Sequence, residues 1–262
     1  MDFVKNSSGL THIVAALNEN PKTLAARMHL GCDAVIVNQC HEDRVDSFQY
    51  EDHLIRVICS SARGVGRSRN QGLLLAESEI VLIGDEDIVY RDGYAESVLR
   101  EFRDHPEADV ILFNVTQSAG RETYRNKDHG RVHLWNCGRY PAYSIALRTA
   151  KQQEANVWFS LLFGGGARYA AGEDSLFLAD CLKKGLKLYR SPVCLGEETA
   201  RDSTWFTGYN DKFFRDRGTL YHALYGWMAA PLSLYFLFRK RREWLADRSF
   251  GSAFRLMREG MR

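Results

Sequence analysis

Two acidic clusters and one arginine-rich turn are the places where this chain could do chemistry. The run IVLIGDEDIVY sets Asp85, Glu86 and Asp87 directly after the apolar residues Ile80–Ile83. If that run is a buried strand, the carboxylates emerge at its carboxyl end, the edge at which open α/β sheets take ligands. Asp85 and Asp87, one residue apart, can hold a hard divalent cation, Mn2+ or Mg2+. Such a cation can bridge two phosphates and neutralise a departing diphosphate. Taken alone, the tripeptide reads equally well as an acidic surface turn.

The second cluster lies in GEDSLFLADCLKKGLKLY, where Glu173 and Asp174 open a helical pattern whose apolar side includes Leu176, Phe177 and Leu182. Asp174 there could face a cleft and accept a proton. Acidic residues in a first turn also stabilise helices with no catalytic role, and the isolated motif favours that plainer reading. The third stretch, SSARGVGRSRNQGLLLA, carries Gly64 and Gly66 in a turn and then Arg67, Arg69 and Asn70 at a helix start. Cations beside a helix N-terminus suit an anionic diphosphate. A dinucleotide fingerprint would need a third glycine where Arg69 stands, and no G-K-S/T phosphate loop is present, so neither of those nucleotide folds is indicated.

The elements around these motifs give them a common frame. Short apolar runs at Ile13–Leu17, Ala34–Asn38, Ile55–Cys59, Ile80–Ile83 and Val110–Val115 read as strands. Helical patterns at Thr23–His29, Gly66–Ala76 and Gly93–His105 read as crossovers between them. The alternation predicts α/β architecture with an open, mainly parallel sheet. Arg121–Pro141 is polar and mixed and reads as loop or irregular strand, a place for acceptor contacts. A helix over Leu176–Lys184, stopped by Gly185, and a short strand over Leu186–Tyr189 follow.

With 262 residues, 45% of them hydrophobic, the chain can bury one large core. A net charge of +2 gives no global reason to expect nucleic acid. The six cysteines lack C-x-x-C spacing and read as free thiols, and the first seventeen residues lack an export signal; together these suggest a cytoplasmic setting. None of the eight histidines shows metal-ligand spacing.

Tyr221–Phe238 is rich in aromatic and aliphatic residues and runs straight into Arg239, Lys240, Arg241 and Arg242. It is short and impure for a spanning helix. The expectation is a helix lying on the headgroup layer of an anionic inner leaflet, with a dimer contact or a core helix as the alternatives. The boundary is placed between an α/β domain, 1–205, and a helical extension, 206–262.

In order and spacing the chain resembles glycosyltransferase family 2, from about Thr11 to Pro192. The motifs that carry the resemblance are VAALNEN, GVGRSRNQGL, GDED and AGEDSLFLADCLKKGLKLY; the later STWF and RGTLYHALYGW look like members that build bacterial surface polysaccharides. The resemblance implies a GT-A fold and inverting transfer from a nucleotide sugar, a UDP-sugar above all, to a glycan acceptor; the apolar-basic tail suggests an acceptor that is lipid-linked, such as a polyprenyl-diphosphate glycan. By the same resemblance, Asp87 is the direct metal ligand, Asp85 contacts the metal or the donor ribose, and Glu86 belongs to the same donor motif. Asp174 becomes the catalytic base, and Glu173 positions base or acceptor. Arg69 and Asn70 lie near the nucleotide, and Asn18 by the base or ribose. Members commonly carry an aspartate after the second strand; here Asn38 and Gln39 stand instead, and Asn38 is the candidate to read the base. Two other readings are weighed. A sugar nucleotidyltransferase would want a glycine-rich first loop, which VAALNENPKT lacks, and a non-catalytic carbohydrate-binding partner would not need its carboxylates intact.

Overall fold

The computed structural model describes residues 9–117, 124–199, 208–245 and 248–262. The STWF motif, the 205/206 boundary, residues 121–123 of the polar loop and the first eight residues lie outside them.

In chain order the elements are β1 (Leu10–Leu17), α1 (Pro21–Met28), β2 (Ala34–Gln39), β3 (Arg44–Tyr50), β4 (His53–Ser60), α2 (Val65–Leu75), β5 (Ile80–Asp85), β6 (Ile88–Tyr90), α3 (Tyr94–Asp104), β7 (Val110–Thr116), β8 (Gly130–Arg131), β9 (Ile145–Arg148), α4 (Thr149–Ala155), α5 (Glu173–Lys183), β10 (Leu188–Glu198), α6 (Asp211–Tyr225), α7 (Ala229–Arg239), α8 (Arg241–Trp244) and α9 (Phe250–Gly260). They build one sheet in the order β3-β4-β2-β1-β5-β9-β7-β10-β6, with β8 on β10. β4, β2, β1 and β5 pair in parallel, as do β7 and β10. The short β9 is antiparallel to both β5 and β7 and so joins two blocks that run the same way. This is the mainly parallel, helix-flanked α/β sheet expected, with antiparallel edges at β3 and β6.

The pleat sorts side chains to two faces. Leu10, Val14, Ile80 and Leu82 join the core under α1 and α3, while Ile13, Val81 and Ile83 join the core under α2 and α5. A third, smaller core of Phe214, Leu237, Trp244, Ala253, Leu256 and Met257 holds the C-terminal helices together.

The apolar stretch Tyr221–Phe238 is not one helix. It ends α6, passes through a 3-10 turn at Gly226–Met228 and forms α7. Ser233 and Leu237 are buried, whereas Trp227, Tyr235 and Phe238 are 87%, 61% and 60% exposed. The core-helix reading therefore holds for one face only. No helix among the described residues is long and apolar enough to cross a membrane. All six cysteines are free thiols.

Candidate active site

The position of Asp85 follows from strand parity. Val81 and Ile83 face α2 and α5, so Asp85, the next residue in that register and the last of β5, leaves the sheet on the same side. Facing it is α2, whose buried face runs through Gly66, Arg69, Gly72 and Leu73. The glycines let the helix approach closely. A Cβ on Gly72 would stand 2.3 Å from Ile13 Cγ2, and one on Gly66 would stand 2.3 Å from the Ser160 carbonyl oxygen.

Arg69, between these two contacts, is 3% exposed, with its guanidinium 5.4 Å from the Phe159 ring centre. Nη2 donates to Asp85 Oδ1 at 2.8 Å, and Nη1 donates to Glu173 Oε1 at 2.8 Å. One side chain thus ties the end of β5 to the start of α5. Burial alone would disfavour its charge; the two carboxylates outweigh burial and raise its pKa above the ordinary value. The fork of donors makes this double grip possible.

The glycine-rich segment before α5 shapes the approach to Asp174. Gly164, Gly166 and Gly172 have φ of 106°, 78° and 111°, in the region that favours glycine. Gly165 O accepts from Val65 N at 2.9 Å, tying the segment to the first turn of α2. From the other side, Ala170 N donates to Asp216 Oδ2 of α6 at 3.0 Å, and Lys212 Nζ donates to Arg168 O at 2.9 Å. Leu220 of α6 packs on Gly172 itself. The C-terminal helices therefore brace the loop that delivers Asp174.

Asp174 is half-buried, and its Oδ1 accepts from Ser175 N at 2.6 Å and from Ser175 Oγ at 3.2 Å. Burial first, then the neighbouring charge of Glu173, push its carboxyl up to about 7, against the pull of the Ser175 hydrogen bonds and of Arg69. A carboxylate poised near neutrality is well matched to accept a proton.

Asp87 sits among acidic neighbours. Its carboxyl is pushed up to about 6 by burial and then by the charges of Asp85, Glu198 and Glu86. Glu198 is delivered by the pairing of β10 with β6, in which it stands opposite Ile88. The Asp87 carbonyl accepts from Thr199 N at 2.8 Å and Thr199 Oγ1 at 3.0 Å, fixing the turn. Tyr143, whose hydroxyl pKa is raised by burial and by Glu198, Asp85 and Asp87, borders the same group and is hydrogen-bonded to Gln117. Asp85, Asp87 and Glu198 supply oxygen donors whose like charges act on one another, and carboxylate oxygens of this kind suit a hard divalent cation.

The other residues expected at the nucleotide divide by geometry. Asn18 is exposed just after β1, in the left-handed region at φ 54°, with its N–H on Gln39 O. Asn38 is 3% exposed, and its amide grips the backbone of Glu19 in both directions, Nδ2 to O at 2.7 Å and Oδ1 from N at 3.1 Å. Asn70 holds Phe159 in the same way, at 2.9 Å each way. Glu86 Oε2 accepts from Leu17 N at 2.5 Å. Asn38, Asn70 and Glu86 hold neighbouring backbone in place, and Arg69 is a buried strut between carboxylates.

Glu198 and Arg27 are not among the residues expected from sequence, and Gln39 is expected only as a neighbour of Asn38 after the second strand. Gln39 Oε1 accepts from Gly64 N at 2.9 Å and ties the end of β2 to the residue that opens α2. Arg27 binds Glu19 through both carboxylate oxygens and donates to Glu86 O at 3.2 Å, clasping the β1–α1 loop to the acidic turn. Glu198 lies beyond the strand expected over Leu186–Tyr189, which stops before Pro192; β10 runs past the proline through register shifts to Glu198. The pair Glu197-Glu198 beside an apolar run was the available signal.

The sequence profile of Glycosyl transferase family 2 matches residues 12–170. The chain belongs to that family. Among solved structures, the family 2 chain is similar to S. aureus TarS 1–349 in complex with UDP-GlcNAc. That match has a TM-score of 0.64 and 17% identity, covering 91% of this chain and 74% of the other. The same TarS segment in complex with UDP aligns with a TM-score of 0.64 and 16% identity over 92% and 76% of the two chains. Against the S. aureus TarS structure that extends further, the glycosyltransferase covers 43% of the partner's length with 88% of its own, at a TM-score of 0.60 and 17% identity. At these identities the likeness is one of fold. No curated protein matches the chain in sequence.

Proposed function

We propose that the protein is an inverting glycosyltransferase that moves a sugar from a nucleoside diphosphate sugar, a UDP-sugar first of all, to a hydroxyl of a glycan acceptor. The observation that carries this reading is the bridge through Arg69, which holds Asp85 at the end of β5 and Glu173 at the start of α5 on one guanidinium. Support for the uridine donor comes from the UDP and UDP-GlcNAc complexes of the similar TarS fold. Asn18, exposed just after β1, offers a polar side chain to the base or ribose.

The acceptor hydroxyl has a pKa far above that of a carboxylate, so its proton moves to Asp174 as the new C–O bond forms and the bond to the diphosphate breaks. Glu173, anchored on Arg69, holds the backbone of the α5 first turn and raises the basicity of Asp174. Asp87, with Asp85 and Glu198 beside it, would hold Mn2+ or Mg2+, which when bound supplies positive charge for the leaving diphosphate.

The exposed aromatic residues Trp227, Tyr235 and Phe238 beside Arg239, Lys240 and Arg241 support a membrane-surface location on an inner leaflet and a lipid-linked acceptor of surface-polysaccharide synthesis. Flotation with anionic liposomes tests this. Loss of flotation in a Trp227→Ser, Tyr235→Ser, Phe238→Ser triple variant is expected, and unchanged flotation, or none in the parent, discards it; a salt-independent dimer broken by the same variant would assign the patch to a second copy.

The direct test of function is thermal stabilisation by a panel of nucleotide sugars with Mn2+ and with chelator, followed by product analysis with a glycan acceptor. A metal-dependent shift with one UDP-sugar and transfer with inversion are expected. Binding without transfer to any acceptor, together with no donor hydrolysis, would favour a non-catalytic partner.

A further inference from the structure

The edge of the sheet opposite the acidic turn carries a second group of metal-competent side chains. Glu101 and His105 stand four residues apart at the end of α3, on one face of the helix, the turn closed by His105 N–H to Glu101 O at 3.0 Å. His129 comes to them from the segment before β8. Its Nε2 lies 2.9 Å from Glu101 Oε2, and its ring centre lies 4.9 Å from that of His105 at 43°. One donor atom from each of the three lies within 4.8 Å of the others. α3 leads into the amino end of β7, whereas Asp85 closes the carboxyl end of β5, so the group is remote from the candidate active site.

The chemistry of the three is selective. Glu101 is a carboxylate only 7% exposed, and a buried carboxylate needs a cation or strong donors around it. Two imidazoles side by side would repel if both were protonated, whereas as neutral rings they offer nitrogen donors to a common point. Two nitrogens and one carboxylate oxygen suit a borderline d-block divalent ion rather than Mg2+, which prefers an oxygen octahedron. Tetrahedral zinc would ask for donors roughly 3.3 Å apart. Glu101 and His129 are already closer than that, and His129, 45% exposed, has room to move. Glu107 Oε1, 3.8 Å from His105 Nδ1, adds a second carboxylate beside the same imidazole.

We propose that Glu101, His105 and His129 bind a d-block divalent cation, zinc first of all, as a clip between the end of α3 and the segment that enters β8. The segment is already held by Asn126, which donates to β7 and β10 and accepts from Asn114 of β7, and by the Arg190–Asp128 pair; the metal adds the link to α3.

The test uses the full chain, stripped of metal, in an Asp87→Asn background so that the acidic turn does not compete. Zn2+ is expected to bind with a stoichiometry of one and to raise Tm by about 5 °C when present well above Kd. Co2+ should give visible d–d bands without thiolate-to-cobalt absorption, which separates this site from the Cys40–Glu42–Cys59 group. His129→Ala and His105→Ala should each lose at least tenfold in affinity; His129→Ala also takes the 2.9 Å partner from buried Glu101, so its metal-free Tm should fall and its affinity is measured well below that Tm. Unchanged affinity in His129→Ala, a thiolate band, or no binding to the parent overturns the proposal.

Discussion

Arg69 and Glu173 stand 104 residues apart in sequence and 2.8 Å apart in space. Because the other arm of the same guanidinium holds Asp85, any change at Arg69 acts on both acidic clusters at once. Arg69→Met would leave two carboxylates facing each other with no cation between them. Removing one partner of a buried pair costs about 3–5 kcal/mol; Asp85 is 27% exposed here, so solvent reduces the expected loss to about 2 kcal/mol. Arg69→Lys should recover little, since one ammonium lacks the planar fork that spans both carboxylates. Denaturant midpoints check the stability, and transfer rates should fall by at least tenfold in both variants.

Asp174 gives a prediction in which activity and stability move in opposite directions. As the base it must be ionised, so the transfer rate should rise with pH and level off above about 7. Its pKa in the folded chain is raised above the ordinary 3.8, so between those values the folded state holds a proton that the unfolded chain has released. That contribution to stability is complete at low pH and is lost as pH rises through about 7. Asp174→Asn removes the buried charge. Above pH 7 it should raise Tm by about 2–4 °C, the shift that about 1 kcal/mol produces in a chain of this size, while abolishing transfer and leaving donor binding intact. Substantial turnover by this variant with a verified acceptor removes Asp174 from the mechanism.

The parallel strands were legible because they are buried apolar runs separated by helical periods. β1, β2, β4, β5 and β7 fall within a few residues of where the pattern put them. β3 was not, since RVDSFQY at the sheet edge is exposed along nearly its whole length and carries no apolar run. The four-residue β9 is too short to show a period. At the site, Asp85, Asp87, Glu173 and Asp174 could be found as acids at a strand end and a helix start. The role of Arg69 could not be read from its charge, which suggested a diphosphate. It is read from helical phase: Arg69 lies on the Gly66–Gly72–Leu73 face, and that face is the one pressed on the sheet. The Glu101–His105–His129 group escaped because His129 reaches α3 only through the tertiary fold.

Removal of the divalent cation should separate donor binding from folding. If Asp87 and its neighbours hold Mn2+ or Mg2+ against the donor diphosphate, chelation should weaken UDP-sugar binding by at least tenfold while the chain without donor keeps its fold. Asp87→Asn should imitate chelation and lose most of its response to added Mn2+. Calorimetric titration of the donor, with and without metal, measures both effects; equal donor affinity in all four arms would show that no metal takes part in binding.

Gly172→Ala tests whether the C-terminal helices set the position of the base. Gly172 has φ 111°, and a Cβ there would stand 2.5 Å from both Leu220 methyl carbons, so the substitution strains the backbone and pushes against α6 together. The expected cost is about 2–3 kcal/mol, with a fall in kcat larger than any change in donor KM, because the displaced residue is the one just before Glu173 and Asp174. Leu220→Ala in the same chain removes the obstacle and leaves the φ penalty. If α6 positions the base, the double variant recovers part of kcat; if it recovers stability without kcat, the helix braces the fold and the loop places Asp174 unaided.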